Sequence, residues 1–112
     1  MATTNHNAQI KPAAVTTAKL YTAVAKTTIS SIVVCNQSSS ADSFRIRVTD
    51  GVAGASPVAT QYIYYDVPIS GNDTFILTIG LLLKITGAAP DEVWVYSTNG
   101  NCSFQLYAVE VT

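Results

Sequence analysis

The residues that most often carry enzyme chemistry are few in this chain of 112 residues. Its single histidine, His6, lies in a polar N-terminal segment, so serine–histidine or cysteine–histidine catalysis would lack a histidine held in a folded domain. Cys35 and Cys102 are far apart in the sequence, and with one remote histidine they do not make a zinc ligand set. They could form a disulfide if their strands are neighbours, but a cytosolic product favours free thiols. The sequence therefore predicts no histidine-assisted nucleophile and no metal site.

The acidic side chains are the remaining candidates for catalysis, because a pair of carboxylates can flank and hydrolyse a glycosidic bond. Most of them fall near a predicted turn or strand end, where aspartate more often caps a turn than performs chemistry. The chain has no glycine-rich phosphate loop and no loop with the spaced acidic ligands of a calcium site. We therefore expect no enzymatic activity and no cofactor. The acidic residues in question are Asp42, Asp50, Asp66, Asp73, Asp91 and Glu92.

The elements that would position these side chains are short β-strands. Residues 43–49 alternate between polar and apolar side chains with a period of two. Arg45 and Arg47 therefore share one face, and the apolar residues that alternate with them share the other. Residues 27–36 are rich in β-branched residues, as in a central strand. Seven or eight such strands at a spacing of about ten residues, without a convincing helix, predict an all-β fold, an antiparallel β-sandwich of jelly-roll type over residues 19–112. Asn99-Gly100 predicts a tight type I′ turn between the last two strands.

The first 18 residues do not share this pattern. They are rich in Ala, Thr and Asn, show no sustained period and are interrupted by Pro12. We expect residues 1–18 to form a flexible, extended N-terminal arm, because so few large apolar side chains cannot offset the entropy of ordering. Ile10 and Val15 still give the arm apolar surface with which it could lie along a neighbouring subunit and pair with an exposed strand edge.

Three of the six tyrosines fall within Gln61–Val67. Strict alternation would place Tyr62 and Tyr64 on one face, with Ile63, Tyr65 and Val67 directed toward the core. Exposed aromatic rings suit protein interfaces, core packing or stacking against sugars, in that order of preference for this chain, because few polar side chains surround these rings. The candidate interface residues are Tyr62, Tyr64, Arg45, Arg47, Trp94, Tyr96, Ile10 and Val15.

The charge content restricts the partners. Only 12% of the residues are charged, and the net charge is −1. Few charges leave a small monomer with little to keep its surface soluble, which favours burial of surface in an oligomer. Six scattered cations cannot neutralise a run of phosphates, so no nucleic-acid binding is expected. No window approaches the roughly 18 apolar residues of a membrane span, and no signal peptide is recognisable, so we expect no membrane contact and synthesis in the cytosol.

Seven segments follow one another along residues 19–112: Leu20-Tyr21-Thr22, residues 26–36, Ser43-Phe44-Arg45-Ile46, residues 64–69, Asn72-Asp73-Thr74-Phe75, residues 93–97 and Ser103-Phe104. In this order they resemble a β-sandwich module of tailed-bacteriophage virion structural proteins. The first loop departs from that family, because Ala23-Val24-Ala25 stands where its members typically have Val-Pro-Ala-Gly. The N-terminal segment lies outside the resemblance.

The resemblance implies a non-enzymatic structural part of the virion, found on capsids and on tail or fibre components. It favours a homo-oligomer, with a trimer first because three-fold positions are common on phage capsids and fibres, and partners such as the major capsid protein. The expected function is that of a capsid decoration or cement protein. The alternative is a tail, baseplate or fibre module that contacts other tail proteins or a host-surface glycan.

Overall fold

The computed structural model describes residues 2–78 and 80–111. In this part of the chain the regular structure consists of antiparallel strands and one short 3₁₀ turn at Ala59–Gln61. The alternation of buried and exposed side chains, which predicted the strands, continues along most of their length, because successive side chains of a strand point to opposite faces. The strands are β1 (Thr3–Ile10), β2 (Ala18–Thr22), β3 (Lys26–Asn36), β4 (Asp42–Val48), β5 (Tyr62–Ile69), β6 (Thr74–Leu77), β7 (Leu81–Leu83), β8 (Glu92–Ser97) and β9 (Cys102–Val111).

The strands form two packed sheets with jelly-roll connectivity. One sheet has the order β1-β9-β3-β6, with β7 also paired to β3, and the other has the order β2-β8-β4-β5. The chain pairs β1 with β9, β2 with β8, β3 with β6 and β7, and β4 with β5, as if one long hairpin had been rolled up. Rolling adds the β3–β9 and β4–β8 pairings. The predicted antiparallel β-sandwich is confirmed.

The N-terminal segment differs from the predicted flexible arm. Thr3–Ile10 forms β1 and pairs with β9 along its whole length, from Thr3 opposite Val111 to Ile10 opposite Phe104. Its side chains are mostly exposed, and its apolar residues Ala8 and Ile10 pack against the core. A polar edge strand is held mainly by its backbone hydrogen bonds. Because these bonds do not depend on the side chains, the sequence of such a strand shows no hydrophobic period. The boundary predicted at residue 18 therefore does not separate an arm from the sandwich.

The core lies between the two sheets and is centred on aromatic rings. Phe44 and Phe104 are fully buried, and their ring centroids lie 6.2 Å apart. Phe75 lies 5.2 Å from Phe44 and 5.3 Å from the ring of Tyr64. Tilted and edge-on contacts of this kind suit the charge distribution of aromatic rings. The aliphatic side chains that surround them include Ile29, Ile32, Val34, Ile46, Val93, Val95 and Leu106.

The two cysteines lie on neighbouring strands but on opposite faces of one sheet. Asn36 is the direct partner of Cys102 in the β3–β9 ladder, and both side chains are buried. Cys35, the preceding residue, points to the outer face, since successive side chains alternate. Both cysteines are free thiols. Burial raises the pKa of the Cys102 thiol to about 11, which keeps it protonated.

The connection between β8 and β9 is organised by a carboxylate rather than by the predicted type I′ turn. Gly100 has φ 73°, but Asn99 does not share this left-handed conformation, so the pair of positive φ angles that a type I′ turn needs is absent. Instead, residues 98–101 wrap around buried Asp42 at the start of β4. The Asp42 carboxylate accepts hydrogen bonds from Ser43 N, Ser97 Oγ, Asn99 N, Asn101 N and Cys102 Sγ.

Candidate protein-binding surface

The outer face of the β2-β8-β4-β5 sheet carries both arginines and four of the ten aromatic side chains of the chain. Trp94 on β8 lies opposite Arg47 on β4, and Tyr96 lies opposite Arg45 in the same ladder. On the other side of β4, Arg47 lies opposite Tyr62 of β5. We call this surface the aromatic–arginine face, and its members are Arg45, Arg47, Tyr62, Tyr65, Trp94 and Tyr96.

Two irregularities in β5 decide which tyrosines belong to this face. Between the pairs Phe44–Val67 and Ile46–Tyr64, β5 has one more residue than β4, and Asp66 within this bulge has φ 50°. A bulge adds a residue without a partner and reverses the alternation beyond it. Tyr65 and Asp66 therefore both face outward and are exposed. A second extra residue in β5, between the pairs Ile46–Tyr64 and Arg47–Tyr62, reverses the alternation again, so that Tyr62 also faces outward.

The predicted faces of β5 are consequently wrong at three positions. Tyr64, predicted to be outward, packs inward against Phe44 and Phe75. Tyr65 and Ile63, predicted to be core residues, are 58% and 38% exposed. Tyr62 faces outward as predicted, and its ring meets the ring of Tyr65 edge-on with a centroid separation of 5.0 Å. The only sequence signal for the bulge is Asp66, a residue type that tolerates positive φ more readily than most.

Arg45 is held between two tyrosines and a carboxylate. Its guanidinium carbon lies 4.1 Å from the ring centroid of Tyr65 and 4.3 Å from that of Tyr96. Its Nε and one terminal nitrogen donate to the two Asp66 carboxylate oxygens at 2.6 and 3.3 Å. The hydrogen bond with Asp66 raises the pKa of Arg45. These contacts restrain the side chains of Arg45, Tyr65, Tyr96 and Asp66, so this part of the surface is ordered before any partner binds.

Arg47 lies on the same face but is only 1% exposed, because the loop of residues 49–61 covers it. It donates to Gln61 Oε1 at 2.8 Å and to the carbonyl oxygen of Gly54, and its guanidinium carbon lies 4.9 Å from the Trp94 ring centroid. Its Nε has no hydrogen-bond partner. Burial lowers the pKa of Arg47, although the side chain stays cationic at neutral pH. Arg47, which alternation places on the outer face, is thus a buried support for the loop.

Glu92 fixes the other side of this loop. Its Oε1 accepts hydrogen bonds from Gly54 N at 2.9 Å and from Trp94 Nε1 at 3.0 Å, and Lys19 Nζ lies 3.7 Å from its Oε2. A Cβ atom on Gly54 would overlap Trp94 Nε1 and Glu92 Oε1, so only glycine allows the loop to come this close. The loop is therefore locked to the sheet at Gly54, between Arg47 and Glu92.

A shallow groove of about 470 Å³ runs along the exposed side of the aromatic–arginine face. Pro57 and Ala59 line it from the loop, and Tyr62 and Tyr65 line it from β5. Because Arg47 and Glu92 hold the loop, the part of the lining that the loop provides is fixed. Its lining is apolar apart from the two phenol groups, which suits an extended apolar segment or a flat ring.

The structure brings together five of the eight predicted interface residues and separates the other three. Arg45, Arg47, Tyr62, Trp94 and Tyr96 lie on the aromatic–arginine face, and Tyr65 joins them although alternation directs it to the core. The other three lie elsewhere. Tyr64 packs inward, Ile10 at the end of β1 packs against the core, and Val15 is 70% exposed in the β1–β2 connection.

A second polar cluster lies at the end of the sandwich beneath β1. Tyr21 Oη donates to Glu110 Oε2 at 2.5 Å, and both residues are buried. The His6 ring centroid lies 5.1 Å from that of Tyr21, and His6 Nδ1 lies 3.8 Å from Glu110 Oε2. Burial and the hydrogen bond with Glu110 raise the pKa of Tyr21 to about 12. The phenol therefore stays protonated and serves as a hydrogen-bond donor between the two sheets.

Among residues 2–78 and 80–111, no three His, Cys, Asp or Glu side chains are grouped so that they could hold a metal ion. No helix in this part of the chain is long and apolar enough to cross a membrane. Comparisons of the chain with protein-family models, with curated proteins and with solved structures found no match. The aromatic–arginine face and the sequence resemblance are therefore the two features of this chain that indicate a function.

Proposed function

We propose that this protein is a bacteriophage virion structural protein, a capsid decoration or cement protein that oligomerises and stabilises the shell by non-covalent contacts. The observation that carries the proposal is the Arg45 arrangement, in which a guanidinium is fixed between the rings of Tyr65 and Tyr96 and bound by Asp66. A binding surface of this kind needs no catalytic group. The phage assignment itself comes from the resemblance of residues 19–112 to virion β-modules.

The composition and order of the face support a role in protein contact. Tyr, Trp and Arg are the residue types most enriched among those that dominate binding energy at interfaces. Association is weakened by the entropy lost when side chains become ordered, and here Arg45, Tyr65 and Tyr96 are already ordered by one another. A partner that covers Tyr65, which is 58% exposed, would therefore gain apolar contact at a low entropic cost.

Exposed apolar side chains on the other sheet support membership of an assembly with more than one neighbour. Ile76 on β6 and Leu82 on β7 are 60% and 75% exposed. They lie opposite Val33 and Thr28 of β3, so both belong to the edge of the β1-β9-β3-β6 sheet. A protein that clamps neighbouring shell subunits needs two separate contact surfaces, and this edge lies on the other sheet from the aromatic–arginine face.

The groove favours a second candidate function, that of a tail, baseplate or fibre module that binds a host-surface glycan. Tyr62 and Tyr65 present rings on which a pyranose could stack, and the exposed Asp66 carboxylate next to Tyr65 could accept hydrogen bonds from sugar hydroxyls. The bidentate hydrogen bond from Arg45 already occupies much of this carboxylate, which makes the protein-contact function the stronger of the two.

The copy number of the protein in purified virions tests the proposed function. We expect quantitative mass spectrometry to find this chain in the particle at hundreds of copies, in a fixed ratio to the major capsid protein. A few dozen copies or fewer would instead indicate the tail or fibre function. If the protein is missing from virions purified under mild conditions, the proposed function is wrong.

Truncation of the exposed rings tests the aromatic–arginine face as the self-association surface. Tyr65→Ala and Tyr62→Ala should each weaken the homo-oligomer by about 1–2 kcal/mol, because each removes a pre-ordered aromatic contact. Analytical ultracentrifugation over a concentration series measures the change, and a trimer is the expected wild-type species. Tyr107→Ala is the matched control, since Tyr107 is exposed on the outer face of the other sheet. Equal weakening by all three substitutions would contradict the assignment of this face.

A further inference from the structure

We propose that β1 is exchanged between copies of this chain, so that Thr3–Ile10 of one copy pairs with β9 of the next. The inference rests on the homo-oligomer in the proposed function and goes further by naming the element that links the subunits. It requires no new interface chemistry, because the partner is a second copy of the same strand in the same seat. The seat is the edge of β9 together with the side chains beneath β1.

The seat is made mainly of backbone. All residues from Thr3 to Ile10 have a partner in β9, from Val111 to Phe104, whereas most of their side chains are exposed. Backbone hydrogen bonds and the partial burial of Ala8 and Ile10 account for most of the contact. An identical strand from a neighbouring copy would make the same bonds, so exchange neither gains nor loses contact within the sheet. The free-energy difference between the closed and the exchanged form therefore depends on the connection between β1 and β2.

The connection between β1 and β2, residues 11–17, favours release of β1 from β9 of its own chain. Val15 within it has φ 53°, a left-handed conformation that is unfavourable for a β-branched residue. It is held there while its backbone N–H donates to the carbonyl oxygen of Ser97 at 3.1 Å, and its own side chain is 70% exposed. If the connection straightens, Val15 can adopt an extended conformation. Short connections under strain are those that promote strand exchange.

The straightened connection is long enough to reach a neighbour. Residues 11–17 span up to about 23 Å when fully extended. This length exceeds the smallest dimension of the molecule, which is 19 Å. The seat also specifies the register of an incoming strand, because His6 packs on Tyr21 and approaches Glu110 at one end while Ile10 packs on the core at the other. A strand from a second copy is therefore directed to the same alignment.

A disulfide between two differently tagged chains tests the exchange. Asn7 lies opposite Tyr107, and both side chains are on the outer face. One full-length chain carries Asn7→Cys and the other carries Tyr107→Cys, both with Cys35→Ser, and the two are co-expressed, purified as the oligomer and mildly oxidised. We expect a covalent heterodimer on a non-reducing gel, because only exchange places the new cysteines of different chains in register. No heterodimer in an oligomer, or a purely monomeric protein, would overturn the proposal.

Two controls make the outcome specific. One chain that carries both Asn7→Cys and Tyr107→Cys shows whether the pair can close, and the Gln9–Gln105 pair replaces it if it cannot. Asn7→Cys combined with Ser103→Cys, which lies further along β9, should give no heterodimer. Val15→Gly removes the conformational penalty of the closed form and should reduce the yield of heterodimer about fivefold. An unchanged yield would contradict the role of the connection. These tests use no virions, so their failure is distinguishable from failure of the proposed function.

Discussion

Replacement of Asp42 by alanine is expected to lower the free energy of unfolding by about 3 kcal/mol, since buried donors that lose their acceptor cost about 1–3 kcal/mol each. The Asp42 carboxylate accepts hydrogen bonds from Ser97 Oγ at 2.7 Å and from the backbone amides of Ser43, Asn99 and Asn101. Solvent can reach some of these groups after the loop relaxes, which keeps the total below the sum. Urea denaturation followed by tryptophan fluorescence measures the loss.

The Asp42 carboxylate also makes the stability of the folded protein depend on pH. Burial opposes ionisation of Asp42, but the hydrogen bonds from Ser97, Asn99, Ser43 and Asn101 outweigh it and lower the pKa of this group. Because the pKa is lower in the folded state than in the unfolded state, the stabilisation is present above the unfolded pKa of about 3.9. It is lost as the pH falls through the folded pKa. We expect wild-type stability to decrease below about pH 4.

Asp42→Asn is the control that separates charge from shape. It keeps an acceptor oxygen of similar size but has no carboxylate to titrate, so it should lose less stability than Asp42→Ala at pH 7. Its stability should also decrease less steeply between pH 4 and pH 2 than that of the wild type. If the wild type and Asp42→Asn have the same acid dependence, the carboxylate is not the group that titrates with unfolding.

Replacement of Arg47 by alanine is the second change with a large expected effect. It should reduce the free energy of unfolding by about 3 kcal/mol, because hydrogen bonds to a charged group contribute about 1.5–3 kcal/mol each and two are lost. The carbonyl of Gly54 and the amide oxygen of Gln61 would lose the hydrogen bond from Arg47, and the ring of Trp94 would lose its cation. Chemical denaturation measures the loss, and limited proteolysis should show new cleavage within residues 50–60.

Arg45→Ala is the matched control, because Arg45 is an arginine on the same strand and the same face. Its side chain is partly exposed, and an ion pair of this kind contributes about 0–1 kcal/mol. Arg47→Lys keeps the charge but not the planar fork that reaches two acceptors, so it should be nearly as destabilising as Arg47→Ala. If Arg45→Ala and Arg47→Ala destabilise the protein equally and neither exposes the loop to protease, Arg47 does not support the loop.

The sequence was sufficient to predict the strands within residues 19–112 and most of their faces. A β-strand has a period of two whatever its neighbours are, so the alternation of residues 43–49 placed Phe44 and Ile46 in the core and Arg45 and Arg47 outside. The absence of any helical period, together with the even spacing of turns, determined the sandwich. The aromatic–arginine face was predictable to the same extent, because Trp94 and Tyr96 follow the same alternation on β8.

Features that depend on distant segments could be seen only in the three-dimensional structure. The bulge at Asp66 exchanges the faces of Tyr64 and Tyr65, because its position depends on the register with β4. Arg47 is buried because a loop that follows it in the sequence folds back over it. Thr3–Ile10 belongs to the sandwich because β9, about a hundred residues away, offers a free edge to its backbone. Local periodicity reports the faces of a strand, whereas only long-range pairing fixes what each face meets.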